Sequence, residues 1–514
     1  MSVPESSAAT LPYSLWSSEQ IRRAESALKS LPGEADANLM ERAGLALFET
    51  IRVQWPQAQR LWIYCGGGNN GGDGYVLARL ALEAGLGVRL FALGEPKVGS
   101  DAAQAHERWL AAGGYCESEL PSLPLDALAA PDLLVDALLG IGAEGELQGE
   151  VLAWINQINL LPQPVLAVDL PSGLHSDTGR LLGEEAVKAS LTLTFIGLKS
   201  GLLTGMAPEQ TGHIALAPLW PERIAQPEDT VATLLPDEIP MAYRVDYPAL
   251  RHWMKPRSRA AHKGDAGRVL LYGGAHGMPG AIRLTAEGAL RAGAGLVKIA
   301  TMASNHLLIS SGRPELMLAE PLLTAADDKA LSDWAKVRVL GPGLGQSSWA
   351  FALWQQQIRL DGPLVLDADG LNLLAEQPMR RDNWTLTPHP GEAARLLDCT
   401  IAEVEADRYA AVRALQRKYG GVVLLKGVGT LIADAQHCWV CQEGNPGMAS
   451  GGMGDLLSGI LAALWAQDLG QTQSALLAAC IHGEAADCAA KEGERGMLAS
   501  DLLPWVRRLV NPVE

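Results

Sequence analysis

Short apolar runs alternate with stretches of helical spacing along almost the whole chain, and no other feature constrains the fold as tightly. In the first half, segments 61–64, 88–93, 133–139, 165–170 and 191–196 are short and apolar and read as strands. Segments 17–30, 38–55 and 75–84 carry apolar residues at helical intervals. Strands alternating with helices predict βαβ units and a parallel sheet. The pattern lapses around residues 218–240, where Pro218, Pro221, Pro227, Pro236 and Pro240 punctuate the chain. It restarts with candidate strands at 269–272, 296–300, 337–340, 364–367 and 422–425. Two α/β domains are expected, spanning 1–225 and 240–514. The 514 residues accommodate them at roughly 100–200 residues per domain.

Composition narrows the function class. Hydrophobic residues at 48% and charged ones at 19% suit a globular chain rather than a disordered one. A formal net charge of −17 disfavours nucleic acid, which needs basic stripes. Small anions remain possible, because helix N-termini and glycine loops bind phosphate without net positive charge. Seven scattered cysteines read as reduced thiols of a cytoplasmic protein, not as a disulfide framework. No apolar run reaches about 18 residues, so no membrane span is expected. Met1-Ser2-Val3-Pro4-Glu5-Ser6-Ser7 lacks the basic and apolar regions of a signal peptide.

The 55 glycines cluster in loops after candidate strands. Gly66-Gly67-Gly68-Asn69-Asn70-Gly71-Gly72-Asp73-Gly74 joins a strand to a helix and is rich in residues that tolerate positive φ. Such a loop brings backbone N–H groups onto an anion at the following helix N-terminus. Asp136 and the loop Gly140-Ile141-Gly142-Ala143-Glu144-Gly145-Glu146 follow another strand. Asp169-Leu170-Pro171-Ser172-Gly173 and Gly197-Leu198-Lys199 follow two more. In an open parallel sheet these strand ends form the binding crevice. Asn70, Asp136 and Ser172 offer oxygen ligands of the kind hard cations take. Asp169 and Lys199 form a candidate acid–base pair. A strand-end Asp is about as often a simple helix cap; convergence on one edge favours function.

In the second half, glycine loops again follow strands. Gly451, Gly452 and Gly454 precede the apolar stretch 456–466, which reads as a buried helix. Their N–H groups suit a transferring phosphoryl group. Asp455, in the first turn, can accept a proton from a hydroxyl nucleophile. His389 sits between two prolines, a poor core position, and reads as a ligand contact. Cys438-Trp439-Val440-Cys441 has C-x-x-C spacing but no second pair, and reads better as a strand than as a metal site.

These residues carry a family likeness. Through Gly68 to Gly74, Asp136, Asp169-Leu170-Pro171-Ser172-Gly173 and Lys199, the first half resembles NAD(P)H-hydrate epimerase domains. The second half resembles NAD(P)H-hydrate dehydratase domains of the ribokinase-like superfamily. That match runs through His262-Lys263-Gly264, Gly341-Pro342-Gly343-Leu344-Gly345, His389-Pro390-Gly391-Glu392 and the loop from Gly447 to Asp455. The resemblance implies a Rossmann-like parallel α/β domain followed by a ribokinase-like α/β domain. It implies repair of NADH and NADPH that carry water across a ring double bond: epimerisation of the R and S hydrates, then ADP-dependent dehydration of the S hydrate, releasing AMP and phosphate.

The resemblance also implies roles. Asn70, Asp136 and Ser172 would hold potassium. Asn69, Asn70, Gly71, Gly72, Asp73, Gly140, Ile141, Gly142, Ala143, Glu144, Gly145, Glu146 and Asp169 would contact the dinucleotide in the first domain. Ala266, Gly343, His389 and Asp455 would contact it in the second. Lys426, Gly427, Val428, Gly429, Thr430 and Gly454 would hold ADP, taken with magnesium. Asp455 would be the dehydratase base; Asp169 and Lys199 would serve the epimerase. Small-molecule partners and a homo-oligomer are expected. The competing reading is a ribokinase-like small-molecule kinase with a regulatory nucleotide-binding domain.

Overall fold

The computed structural model describes residues 11–31, 38–121, 130–221, 225–321 and 325–512. Residues 1–7, read above for a leader, lie outside them. The chain divides into two compact units, Met1–Tyr243 and Arg244–Glu514. No described helix is long and apolar enough to cross a membrane.

The first unit opens with β1 (Ser14–Leu15). Then β2 (Arg60–Gly66), β3 (Gly87–Leu93), β4 (Leu133–Ala137), β5 (Val165–Val168), β6 (Leu191–Phe195) and β7 (His213–Ala217) form one parallel sheet, in the order β3-β2-β4-β5-β6-β7. The alternation of side chains along β2 sets its two faces. Leu61, Ile63 and Cys65 enter one apolar cluster with Leu77 and Val135. Trp62 and Tyr64 enter another with Phe91 and Trp154. Burial on both faces is why the strand lacks a polar alternation. The chain leaves β2 for β3 on one side and later crosses to β4 on the other. That switch point opens a crevice between the ends of β2 and β4. β8 (Ala242–Val245) pairs antiparallel with β1, Ser14 opposite Tyr243.

In the second unit, β9 (Arg268–Tyr272), β10 (Leu296–Ala300), β11 (Met317–Ala319), β12 (Val337–Leu340), β13 (Leu364–Leu366), β14 (Trp384–Leu386) and β15 (Val422–Leu425) run parallel. β16 (Thr430–Ala433) and β17 (Cys438–Cys441) follow as antiparallel neighbours. The order β15-β14-β13-β12-β9-β10-β11 puts the switch point between β9 and β12. Helix Met453–Ala466 is almost wholly buried and crosses helix Pro279–Arg291 closely. A Cβ at Gly459 would lie 1.9 Å from the Thr285 carbonyl oxygen, so only glycine permits the crossing.

Several expectations need correction. Helix Asn69–Glu83 begins six residues before the predicted 75–84, so most of the asparagine–glycine loop is helical. None of the glycines from Gly66 to Gly74 has a positive φ. They serve close approach instead: a Cβ at Gly66 would lie 2.0 Å from the Leu138 oxygen, and one at Gly71 1.8 Å from the Gly66 oxygen. β7, β11, β14 and β16 have no counterpart among the expected strands. Each is short, at three to five residues, and gives periodicity little to act on. A helix, Thr230–Leu234, forms inside the proline-rich stretch, capped by Asp229.

Candidate functional site

In the first unit, Asn70, Asp136 and Ser172 meet at the switch point, all buried. Ser172 Oγ donates to Asp136 Oδ1 at 2.6 Å and Ser172 N to Oδ2 at 2.7 Å. Leu139 N donates to Ser172 Oγ at 2.9 Å, and Asn70 Nδ2 to the Leu139 oxygen at 2.9 Å. Burial pushes the Asp136 carboxyl up to about 6, against the pull of those hydrogen bonds. No described ion pair neutralises it. A carboxylate, an amide, a hydroxyl and a backbone carbonyl thus form an oxygen-rich cluster of the type that binds a hard monovalent or divalent cation.

Helix Asn69–Glu83 starts beside this cluster with Gly68 as its N-cap. Its first N–H groups lack helical acceptors and can take an anion. The half-exposed loop from Gly140 to Glu146 borders it, since a Cβ at Gly140 would sit 3.2 Å from Asn70 Cβ. Arg22 Nη2 pins that loop through the Ile141 oxygen at 3.1 Å.

Asp169, just past β5, has φ 66°, a conformation rare outside glycine. Its Oδ1 accepts from Thr194 Oγ1 at 3.1 Å, Phe195 N at 3.0 Å, and Lys199 Nζ. Lys199 is fully buried and also donates to Thr194 Oγ1 at 3.0 Å and the Phe195 oxygen at 2.8 Å. All three of its donors are spent, so its side chain is held in one place. Asp73 lies beside this pair: burial, then Asp169 and Glu25, hold its carboxyl well above the usual range, and Lys199 opposes them. Glu25 is raised too, by burial. Sequence reading missed Glu25, because nothing in helix Ser18–Lys29 separates it from the helix's solvent-facing charges.

In the second unit the loops converge on the start of helix Met453–Ala466. Gly452 is its N-cap at φ 91°, and Asp455 stands in its first turn. Lys426 Nζ lies 3.1 Å from where a Cβ on Gly454 would be, so the ammonium hangs over the helix N-terminus. Lys426 pairs with Asp367 Oδ1 at 3.0 Å and Glu392 Oε2 at 3.8 Å. Ser458 Oγ donates to Asp367 Oδ2 at 2.8 Å. Burial, then the charge of Asp367, pushes Asp455 up to about 7, with Lys426 opposing. Glu392 is pushed to about 7 by burial, against Lys426. Asp367, Glu392 and Ser458 were given no role from sequence. They lie 59, 34 and 32 positions from Lys426, and only the strand order brings them together.

His389 is the N-cap of helix Pro390–Leu397, its Nδ1 accepting from Gly391 N at 3.0 Å and Glu392 N at 3.4 Å. That role accounts for its place between prolines and leaves Nε2–H as a donor. Gly343, at φ 58°, lies against the loop after β9, with Ala275 N donating to its oxygen at 2.6 Å. Gly427, Val428, Gly429 and Thr430 turn from β15 into β16. Ala266 is the exception. It precedes β9, and a Cβ on its neighbour Gly267 would lie 2.5 Å from the Ala466 oxygen, at the far end of the Met453–Ala466 helix. The helix's 14 residues span about 21 Å. Ala266 therefore stands at the opposite edge of the sheet from Asp455.

Comparison with known proteins agrees with both halves. Residues 36–201 match the family described as YjeF-related protein N-terminus, and residues 269–508 the family described as NAD(P)H-hydrate dehydratase. A bifunctional NAD(P)H-hydrate repair enzyme of Coxiella burnetii is 47% identical, over 97% of this chain and 99% of its own length. The Escherichia coli enzyme of the same description is 43% identical, over 98% of this chain and 95% of its own. That of Vibrio cholerae is 40% identical, over 98% and 99%. With both glycine-loop sites in this order on one chain, and likeness running nearly end to end, the chain belongs to the family of bifunctional NAD(P)H-hydrate repair enzymes.

Proposed function

We propose that this chain restores hydrated NADH and NADPH in the cytoplasm, epimerising the hydrate in its first unit and dehydrating the S epimer in its second. The observation that carries the reading is the start of helix Met453–Ala466, where Asp455 and Lys426 meet unsatisfied N–H groups. Hydration of an enamine leaves the hydroxyl on the carbon bonded to the ring nitrogen. Asp455 takes the hydroxyl proton as the oxygen attacks the terminal phosphorus of ADP, and the P–O bond to AMP breaks. The helix N–H groups and Lys426 stabilise the charge on the transferred group. Its C–O bond then breaks with the nitrogen lone pair assisting, phosphate leaves, and loss of the neighbouring carbon's proton restores the double bond.

Magnesium bound with the nucleotide would supply charge neutralisation at the phosphates; Asp367, Asp369 and Glu392, whose charges act on Asp455, would hold it. Lys426, Gly427, Val428, Gly429, Thr430 and Gly454 hold the nucleotide, and Gly343 and His389 the hydrated dinucleotide. In the first unit, Asn70, Asp136 and Ser172 hold potassium, a role their buried oxygens and the unneutralised Asp136 support. Asn69 to Asp73, with the loop from Gly140 to Glu146, bind the dinucleotide phosphates through backbone N–H groups. Asp169, locked by Lys199, orients the ring.

The test mixes the full chain with an R and S mixture of hydrated NADH, ADP and Mg²⁺, and follows reduced-nicotinamide absorbance. Complete recovery with release of AMP and phosphate is expected. A phosphorylated dinucleotide that accumulates without recovery would establish the kinase reading instead.

A further inference from the structure

Cys438 and Cys441 bracket β17, and three positions apart they fall on opposite faces of the strand. The C-x-x-C spacing therefore makes no chelating pair. Cys441 instead meets Cys480 of helix Gln471–Ala489, both buried. Cys441 Sγ, Cys480 Sγ and a carboxylate oxygen of Glu443 all lie within 4.8 Å of one another. Cys441 Sγ is 3.6 Å from Glu443 Oε2. Ligands of a tetrahedral ion with bonds of about 2.0–2.3 Å stand roughly 3.5–3.8 Å apart. One edge already has that length, and the others need about 1 Å of side-chain closure at most.

The carboxylate is aimed. Tyr247 N donates to Glu443 Oε1 at 2.6 Å, which leaves Oε2 toward the thiol, as outer-shell partners orient metal ligands. Among the described residues no ion pair reaches Glu443, and the charged groups that act on it, Glu484 and Asp246, are themselves acidic. Two thiols and an uncompensated carboxylate in one buried place fit a soft divalent cation better than an apolar core.

We propose that Cys441, Cys480 and Glu443 bind one thiophilic divalent cation of the zinc type, with water as the fourth ligand. Both thiols lose their protons on binding, so affinity rises with pH. The ion ties the end of β17 to helix Gln471–Ala489. Four residues past β17, Asn445 Nδ2 donates to Asp487 Oδ1 of the same helix at 2.9 Å and starts the loop that delivers Gly452 and Asp455. The cation braces the root of the phosphoryl-binding loop.

The experiment titrates Co²⁺, then Zn²⁺, into the full chain after reduction and removal of metals by a chelator. One Co²⁺ per chain is expected, with thiolate-to-cobalt charge-transfer absorption that Zn²⁺ abolishes mole for mole. Cys441→Ser and Cys480→Ser should each weaken binding by at least about tenfold, whereas Cys438→Ser, on the other face, should not. Glu443→Gln, which keeps both thiols and the Tyr247 hydrogen bond, should weaken it as well. Circular dichroism reports the fold of each variant. Absence of the charge-transfer band in the wild-type chain overturns the proposal, and so does a band that survives both serine substitutions.

Discussion

Asp455 shows how one side chain's surroundings set its chemistry. Burial and Asp367 lift its carboxyl to about 7, so it is half-ionised near neutral pH and basic enough to take a hydroxyl proton. Dehydration should therefore rise with pH along a limb near 7, shared with the neighbouring Glu392; a rate flat from pH 6 to 8 would remove Asp455 as the base. Asp455→Asn should cut dehydration by about 10²–10⁴-fold and leave epimerisation intact. The same shift bears on stability. An unfolded aspartate ionises near ~3.9, so ionising Asp455 costs more in the folded chain, and the contribution of Asp455 to stability falls as pH rises from about 4 to 7. Asp455→Asn should then gain more Tm over wild type at pH 8 than at pH 4, by a few °C; an equal gain at both would contradict the burial argument. Lys199 carries the opposite liability. Lys199→Met leaves Asp169 buried without its cation, and should cost about 3–5 kcal/mol in urea denaturation.

At the scale of elements, the glycines before and inside helix Asn69–Glu83 are the informative case. Gly71 has no room for a side chain, while Gly68 has nothing within 4 Å of its would-be Cβ and an ordinary φ of −98°. Gly71→Ala should destabilise the first unit by about 1–3 kcal/mol or more, and Gly68→Ala by under about 1 kcal/mol, measured by urea denaturation. Equal effects would mean that chain entropy, not packing, governs both positions. The sequence marked this segment as a site and as the junction of a strand and a helix, because glycine and asparagine clusters are local signals. It pointed to the wrong reason for the glycines, since periodicity cannot see the Leu138 oxygen across the sheet. The strands it missed are equally instructive. β14 is three residues long, and the single alternation of Trp384, Thr385 and Leu386 is too short to detect.

At the scale of the whole molecule, two reactions on one chain need not be simultaneous. A chain with Asp169→Asn should stall once the S hydrate is consumed, and one with Asp455→Asn should recover no reduced nicotinamide. Mixed together they should recover a mixed-epimer substrate fully, because the epimers diffuse freely between sites; failure of the mixture, with each remaining activity intact, would require transfer within one chain. The sequence by itself determined that both halves alternate strand and helix, where their glycine loops lie, and which residue types line them. Those are consequences of nearest-neighbour chemistry: side-chain periodicity, turn residues and helix starts. Only the tertiary structure decided which loops share an edge. It placed Ser458 on Asp367 and Lys426 over Gly454, left Ala266 at the far end of a helix, and gave Cys441 a partner in Cys480 rather than Cys438. Strand order does this, and strand order is settled by packing between segments tens of residues apart, which local spacing does not encode.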